Sequence, residues 1–211
     1  MDDVRTRRQE IGRERRERTR QKLLASAARV FARLGEKKAT IDDFIEAAGV
    51  ARGTFYNYYS TRDELLDDLW AQIGRDPFRK IQEACADLGD PAERLVTQAR
   101  LVLVCAACNA AWGWLVYALS VDGESVNSDL MAYPRPDLRA GLSVGRFRFA
   151  DIDSASDLVV GAIRRGLRAT LAEERRQNYP EALGAMLLRA LGVDENDAFK
   201  LSNRPLPALP A

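Results

Sequence analysis

Apolar residues recur along this chain at helical spacing, in stripes three and four residues apart. Leu23, Leu24, Ala27, Val30, Phe31 and Leu34 form the first stripe and predict a helix from about Glu14 to Leu34, closed by Gly35. The polar, arginine-rich residues 1–13 ahead of it are expected to be disordered in isolation. Phe44, Ala48 and Val50 supply the buried side of a second helix that begins at Thr40. Thr40 and Asp43, three apart, make a capping box with Asp in the usual Glu place. Gly49 falls where the chain must turn sharply. A third helix, about Arg52 to Tyr58, has Phe55 and Tyr59, four apart, to anchor one face. Thr61 and Glu64 cap a fourth helix with the stripe Leu65, Leu66, Leu69, Trp70 and Ile73. Gly74 and Pro77 predict a break there, after which the helix resumes through Ile81, Ala84, Cys85 and Leu88.

Asp90-Pro91 is an N-cap followed by proline at the first helical position, and opens a strongly apolar helix over residues 91–109. A further helix runs from Ala110 to Val121. Residues 122–137 are expected to be a loop with Pro134 and Pro136 as breakers, before a helix from about Asp137 to Val144. Residues 145–151 alternate like a strand, but no second clear strand exists to pair with them, so they are assigned to a loop. Two good helices follow, about Ser154 to Glu174 and about Pro180 to Leu191, the second ending at Gly192. Gly161, Gly166 and Gly184 within them cost helix stability but allow close backbone approach. The pattern is that of an all-α protein. A three-helix helix-turn-helix head with a basic arm occupies residues 1–60, a larger helical body residues 61–202, and a disordered proline-rich tail residues 203–211.

Composition narrows the chemistry. The 211 residues contain no histidine, which removes Ser-His and Cys-His nucleophile pairs, histidine bases and histidine metal sites. Three cysteines are too few and too odd for a disulfide framework. No apolar run approaches the ~20 residues of a membrane span, and the charged N-terminus lacks a signal-peptide stretch, so a cytoplasmic protein is expected. The net charge of +1 conceals an asymmetry: residues 1–62 hold 15 Lys/Arg against 9 Asp/Glu, and residues 63–211 hold 17 against 22. A basic head on an acidic body fits a nucleic-acid partner, though a solvated arginine-rich helix would give the same balance.

The third helix sharpens this. Phe55, Tyr56, Tyr58 and Tyr59 cannot all be buried on two turns, so one face is left for a partner. An α-helix fits the major groove of duplex DNA, where each base pair shows a distinct donor and acceptor pattern. Arg52 can pair with guanine or phosphate and Asn57 with adenine. Gly53 lets the backbone come close. Tyr56 and Tyr58 offer hydroxyls to phosphates and rings to thymine methyls, beside Thr54. Thr40 at a helix N-terminus and Arg62 suit phosphates. Arg5, Arg7, Arg8, Arg13, Arg15, Arg16 and Arg18 of the arm either add phosphate or minor-groove contacts or form a solvated tail.

Residues 16–66 closely resemble the DNA-binding domain of the TetR family of bacterial regulators. The resemblance rests on Ala27, Phe31 and Gly35; on Thr40-Ile-Asp-Asp-Phe44; on Ala48-Gly-Val-Ala-Arg-Gly-Thr-Phe-Tyr56; and on Tyr58-Tyr59 with Arg62-Asp-Glu-Leu-Leu66. Ile45 stands where the family favours alanine, Tyr58-Tyr59 where it often has histidine-phenylalanine, and Arg62 where it has lysine, so base preference does not carry over. The resemblance implies a homodimer on a pseudo-palindromic operator. Its last two helices would supply the interface through Leu158, Ile163, Leu167, Leu183, Leu187 and Leu191. It also implies a small-molecule pocket among the central helices. Large aromatics there, Trp112, Trp114, Tyr117, Met131, Tyr133, Phe147 and Phe149, are more often plain core. Leu101, Cys105, Cys108, Trp112, Tyr117, Met131 and Phe147 are the candidate lining for a hydrophobic or aromatic ligand, with Arg100, Asn109 or Arg139 to orient a polar group. The expected function is therefore a repressor released by such a ligand, without cofactor or metal, and not an enzyme. A DNA-binding or architectural protein without a ligand is the first alternative. A thiol redox regulator or enzyme using the C-x-x-C pair Cys105 and Cys108 is the second.

Overall fold

A computed structural model of the chain describes residues 2–34, 39–122, 133–172, 174 and 178–210. Gly35 and Met131 lie outside these. The described residues are helical with intervening loops and no strand, and residues 145–151 are loop. They group into two compact units, Met1–Gln72 and Ile73–Ala211. The division therefore falls beyond the fourth helix, later than the 60/61 boundary that the motif suggests.

In the first unit, α1 runs from Asp2 to Leu34. Its first turns, expected to be disordered, continue the helix. Arg and Glu are good helix formers, and extending an existing helix avoids the cost of nucleation. Its C-terminal half carries the core of the head: Leu23, Leu24, Ala27, Val30 and Phe31 are all buried. The Phe31 ring lies 5.4 Å from that of Phe44 on α2, Ile41–Ala48. The Thr40–Asp43 capping box forms at the start of α2, and Gly49 ends it with φ of 57°, a left-handed conformation that costs a Cβ-bearing residue about 1–2 kcal/mol. The turn delivers α3, Arg52–Tyr56, shorter than the sequence pattern predicts, with Asn57 and Tyr58 in the following turn. Phe55 and Tyr59 are buried as expected. Thr61 caps α4, Arg62–Leu69, accepting from Glu64 N, while the Glu64 carboxylate accepts from Ser60 N at 2.6 Å.

The break predicted at Gly74 and Pro77 takes the form of a π-helical turn, Trp70–Gly74, leading into α5, Arg75–Cys85. Pro77 has no N–H to offer the carbonyl four residues back and its ring crowds that carbonyl, so the preceding turn widens.

The second unit is built around α6, Pro91–Cys108, which packs against α5 and most later helices. Asp90 caps it as predicted, its carboxylate accepting from Ala92 N at 2.9 Å. Then come α7, Ala110–Asp122; α8, Arg135–Ser143; α9, Ile152–Leu171; and α10, Tyr179–Ala190. Close approach of α10 to α6 depends on Gly184, where a Cβ would lie 2.5 Å from Val96 Cγ2; at Gly161 a Cβ would meet nothing. One helix escapes the sequence pattern: α11, Glu195–Ser202, capped by Asp194. Only Ala198, Leu201 and Ser202 of it are buried, too sparse a stripe to read. The tail beyond it, expected to be disordered, is extended chain tied at its start. The Arg204 guanidinium pairs with Glu93, and its carbonyl accepts from Arg100 Nη1 at 2.7 Å.

Candidate nucleic-acid interface and ligand cavity

The turn at Gly49 and the burial of Phe55 leave the opposite face of α3 outward. Arg52, Gly53, Tyr56 and Asn57 are exposed, with Tyr56 44% accessible, and Thr54 and Tyr58 are half-buried. Arg52 lies 3.3 Å from the Asp42 carboxylate, and both side chains remain mostly in solvent. The neighbouring Tyr56 hydroxyl, then Asp42, holds its guanidinium above the ordinary value, so it is a cation throughout the working pH range. A Cβ built on Gly53 would meet nothing within 4 Å. Nothing in the head therefore requires glycine there. Arg16 of α1 stands over the Tyr58 ring, its guanidinium carbon 5.8 Å from the centroid, and a surface hollow is lined by Arg16, Thr54, Asn57 and Tyr58. A second hollow adds Arg13. Two arginines of the N-terminal arm thus join the α3 face.

Two candidates on this surface have duties inside the head. The Thr40 hydroxyl and N–H both donate to Asp43, at 2.6 and 2.7 Å, and these bonds hold that carboxyl below its ordinary range. Thr40 is thus first a cap. Arg62 is half-buried with its guanidinium carbon 5.7 Å from the centre of the Phe31 ring.

Behind the face lies a latch that sequence reasoning missed. Arg20 grips Asp68 with two nitrogens, Nε at 2.6 Å and Nη2, and the Tyr59 hydroxyl donates to the same carboxylate at 2.6 Å. Burial disfavours the Asp68 carboxylate, but the Arg20 and Tyr59 bonds outweigh it and leave its pKa lowered. Arg20 and Asp68 are 48 residues apart, and no local spacing pairs them.

The body holds a cavity with about 440 Å³ of unoccupied space, including its open mouth. It is lined by Phe78 of α5, Val102 of α6, Val116 of α7, Tyr133 and Pro134 ahead of α8, and Val160, Ile163, Arg164 and Leu167 of α9. Leu101, Cys105, Cys108, Trp112, Tyr117 and Phe147 do not line it. Trp112 and Tyr117 stand directly behind the wall: Trp112 is 5.2 Å from Phe78 ring to ring, and the Arg164 guanidinium carbon is 5.4 Å from the Tyr117 centroid. Phe147 packs into the main core and over Gly141 instead. Tyr133, one of the aromatics in the sequence reading, does reach the cavity. Arg164 was legible in principle, as a charge inside the stripe Val160, Ile163, Leu167.

Arg100 is committed elsewhere, donating to Glu181 at 2.8 Å and to the Arg204 carbonyl. Asn109 caps α7 by accepting from Trp112 N at 3.1 Å, and Arg139 is exposed. Cys105 is half-buried and Cys108 exposed; burial pushes the Cys105 thiol up, away from the reactive thiolate. Among the described residues no group of three or more Cys, Asp or Glu could hold a metal, and no helix is long and apolar enough to cross a membrane.

The residues expected to form an interface on the last two long helices divide between buried and accessible positions. Leu167, Leu187 and Leu191 are buried within the single chain, and Ile163 and Leu167 line the cavity. Their stripe faces inward because α6 already occupies it. Leu158 is 43% exposed and Leu183 half-buried, while Met186, outside the expected set, is 68% exposed.

Comparison with known proteins agrees with this architecture. The pattern described as "Bacterial regulatory proteins, tetR family" matches residues 23–69, and "Tetracyclin repressor-like, C-terminal domain" matches residues 90–204. A "Probable acrEF/envCD operon repressor" of Escherichia coli K12 is 30% identical over 80 residues, covering 31% of this chain and 36% of the relative. The repressor KstR2 of Mycobacterium tuberculosis is 29% identical over 73 residues, 35% of this chain and 36% of the relative. The matched stretch thus spans about a third of the length of these curated relatives. The crystal structure of RolR in complex with resorcinol superposes with a TM-score of 0.69 at 27% identity, covering 93% of this chain and 99% of that one. With both the head and the larger part of the body matched, the chain belongs to the tetR family of bacterial regulatory proteins, and it is a regulator rather than an enzyme.

Proposed function

We propose that this chain is a dimeric transcription repressor, working in the cytoplasm, that leaves a pseudo-palindromic operator when a small hydrophobic or aromatic ligand fills the body. The observation that carries the DNA part is the outward face of α3, where Arg52, Tyr56 and Asn57 are exposed and Gly53 has no packing reason to be glycine. Arg13 and Arg16 add cations beside it for backbone phosphates. The ligand part is supported by the cavity and by the likeness to RolR, whose solved complex holds resorcinol, a one-ring aromatic. Its apolar lining, with Tyr133 and Arg164 as the polar points, suits a molecule of that class.

Release then follows from differential affinity: a ligand that prefers the body conformation with the weaker DNA affinity lowers DNA binding, and DNA lowers ligand binding by the same factor. Phe78 of the cavity wall sits on α5, which follows the π-turn after α4, so the chain leads by helix from cavity to head. The raised thiol of Cys105 speaks against the redox alternative.

The test is operator binding by fluorescence anisotropy. Arg52→Ala and Tyr56→Ala should each weaken binding at least tenfold, about 1.4 kcal/mol, with dimer mass unchanged. Wild-type affinity should fall steeply with salt. Normal binding by both variants would remove α3 from the groove, and ligands of the resorcinol class that leave affinity untouched would favour a ligand-independent regulator.

A further inference from the structure

The cavity wall is apolar except at two points, and both are unsatisfied. The Tyr133 hydroxyl and Arg164 Nε are each buried without a hydrogen-bond partner among the described residues. Burial without a partner costs each such group about 1–3 kcal/mol, and native proteins keep few of them. Of the five such side-chain atoms among the described residues, these two line one cavity. Arg164 Nε–H can only donate. Burial pushes the Tyr133 phenol well above its ordinary value, so its hydroxyl keeps its proton and can donate too. Among the described lining residues, the tyrosine oxygen itself is the one side-chain acceptor. The rings of Phe78 and Tyr133 meet edge to face at 5.4 Å, presenting aromatic surface to the same space. The Arg164 guanidinium is backed by Tyr117, which fixes its position.

We infer that the cavity takes a small aromatic ring carrying an oxygen acceptor, bound through the Tyr133 hydroxyl and the Arg164 guanidinium. This rests on the ligand-released reading above and adds the chemistry of the ligand and the two residues that select it. A phenol oxygen and a carboxylate share that chemistry. The apolar wall holds the ring, and the two donors discriminate against a plain hydrocarbon, because binding one would leave both donors buried and unsatisfied.

The test uses the full-length protein and three probes of similar size: benzoate, phenol and toluene. Binding is followed by calorimetry and by the fluorescence of Trp112, which touches Phe78. Benzoate or phenol should bind at least tenfold tighter than toluene. Tyr133→Phe and Arg164→Met should each erase most of that advantage and leave toluene affinity within a factor of about two. Benzoate ahead of phenol assigns a charged acceptor, and phenol ahead of benzoate a neutral one. If Arg164→Met loses toluene as well, Arg164→Lys, which keeps charge but not the Nε–H, carries the comparison alongside Tyr133→Phe. Toluene binding as tightly as both oxygen-bearing probes, unchanged affinities in the variants, or no binding by any probe would overturn the inference. Operator affinity measured in the same samples separates the two readings. A probe that binds as described without releasing DNA leaves the inference standing and sinks ligand release.

Discussion

Asp68 shows how much of the head depends on one carboxylate. It accepts from Arg20 Nε and from the Tyr59 hydroxyl, which joins α1, the turn after α3 and α4. Asp68→Ala would leave Arg20 and Tyr59 facing a partly buried gap, at a cost of about 2 kcal/mol, readable as a lower melting temperature. The pH dependence has a definite direction. The Asp68 carboxyl titrates lower in the folded head than in the unfolded chain. Its contribution is therefore complete above the ordinary carboxylate value, about 4, and disappears as pH falls through the lower folded value. The stability gap between wild type and Asp68→Ala should be widest near neutral pH and narrow below about pH 4. A gap independent of pH would deny the latch. The three residues are legible one by one as polar, but their meeting is not, because it depends on how α1 and α4 pack.

At the scale of elements, α3 is the decisive piece. Five residues cannot sustain a helix alone. The left-handed turn at Gly49 sets its direction and buried Phe55 holds it. Gly53→Ala separates structure from function at this element. The new methyl meets open space and removes a glycine from a helix, so head stability should rise by up to about 1 kcal/mol. With α3 docked as proposed, operator affinity should fall, because the methyl would stand between the backbone and the base pair it approaches. Melting curves and anisotropy on one variant give both signs. Unchanged affinity would mean that α3 does not approach DNA through Gly53. Other elements show where patterns mislead. The N-terminal arm reads as disorder by composition, yet continues α1. The α11 helix hides because few of its residues are buried.

For the whole molecule, a dimer is argued from what α9 and α10 leave exposed. Leu158 and Met186 are large, apolar and accessible, and a Cβ at Gly161 would meet nothing in its own chain. Met186→Glu would place a charge on that surface without touching the core. Sedimentation should show a shift from dimer to monomer at micromolar concentration, and operator affinity should fall with it, since one head contacts only half a site. A variant that remains dimeric would move the interface elsewhere. Charge also acts at this scale: residues 1–62 carry an excess of cations and residues 63–211 an excess of carboxylates, a balance that favours approach of a polyanion to the head.

What the sequence determined by itself is local. The capping boxes at Thr40 and Thr61, the turn at Gly49, the outward residues of α3 and the helical stripes are all encoded within a few residues of one another. Helical periodicity and backbone stereochemistry act over that range. What tertiary structure decided is which apolar residues were left over. Leu187 and Leu191 look like an interface in a stripe but are consumed by packing onto α6, and Trp112 and Tyr117 look like a pocket but stand behind one. A stripe states that a face is buried, not against what. Only the packing of α5, α6, α7 and α9 could place Tyr133 and Arg164 on one cavity, and two donors without partners become visible only once everything around them is in position.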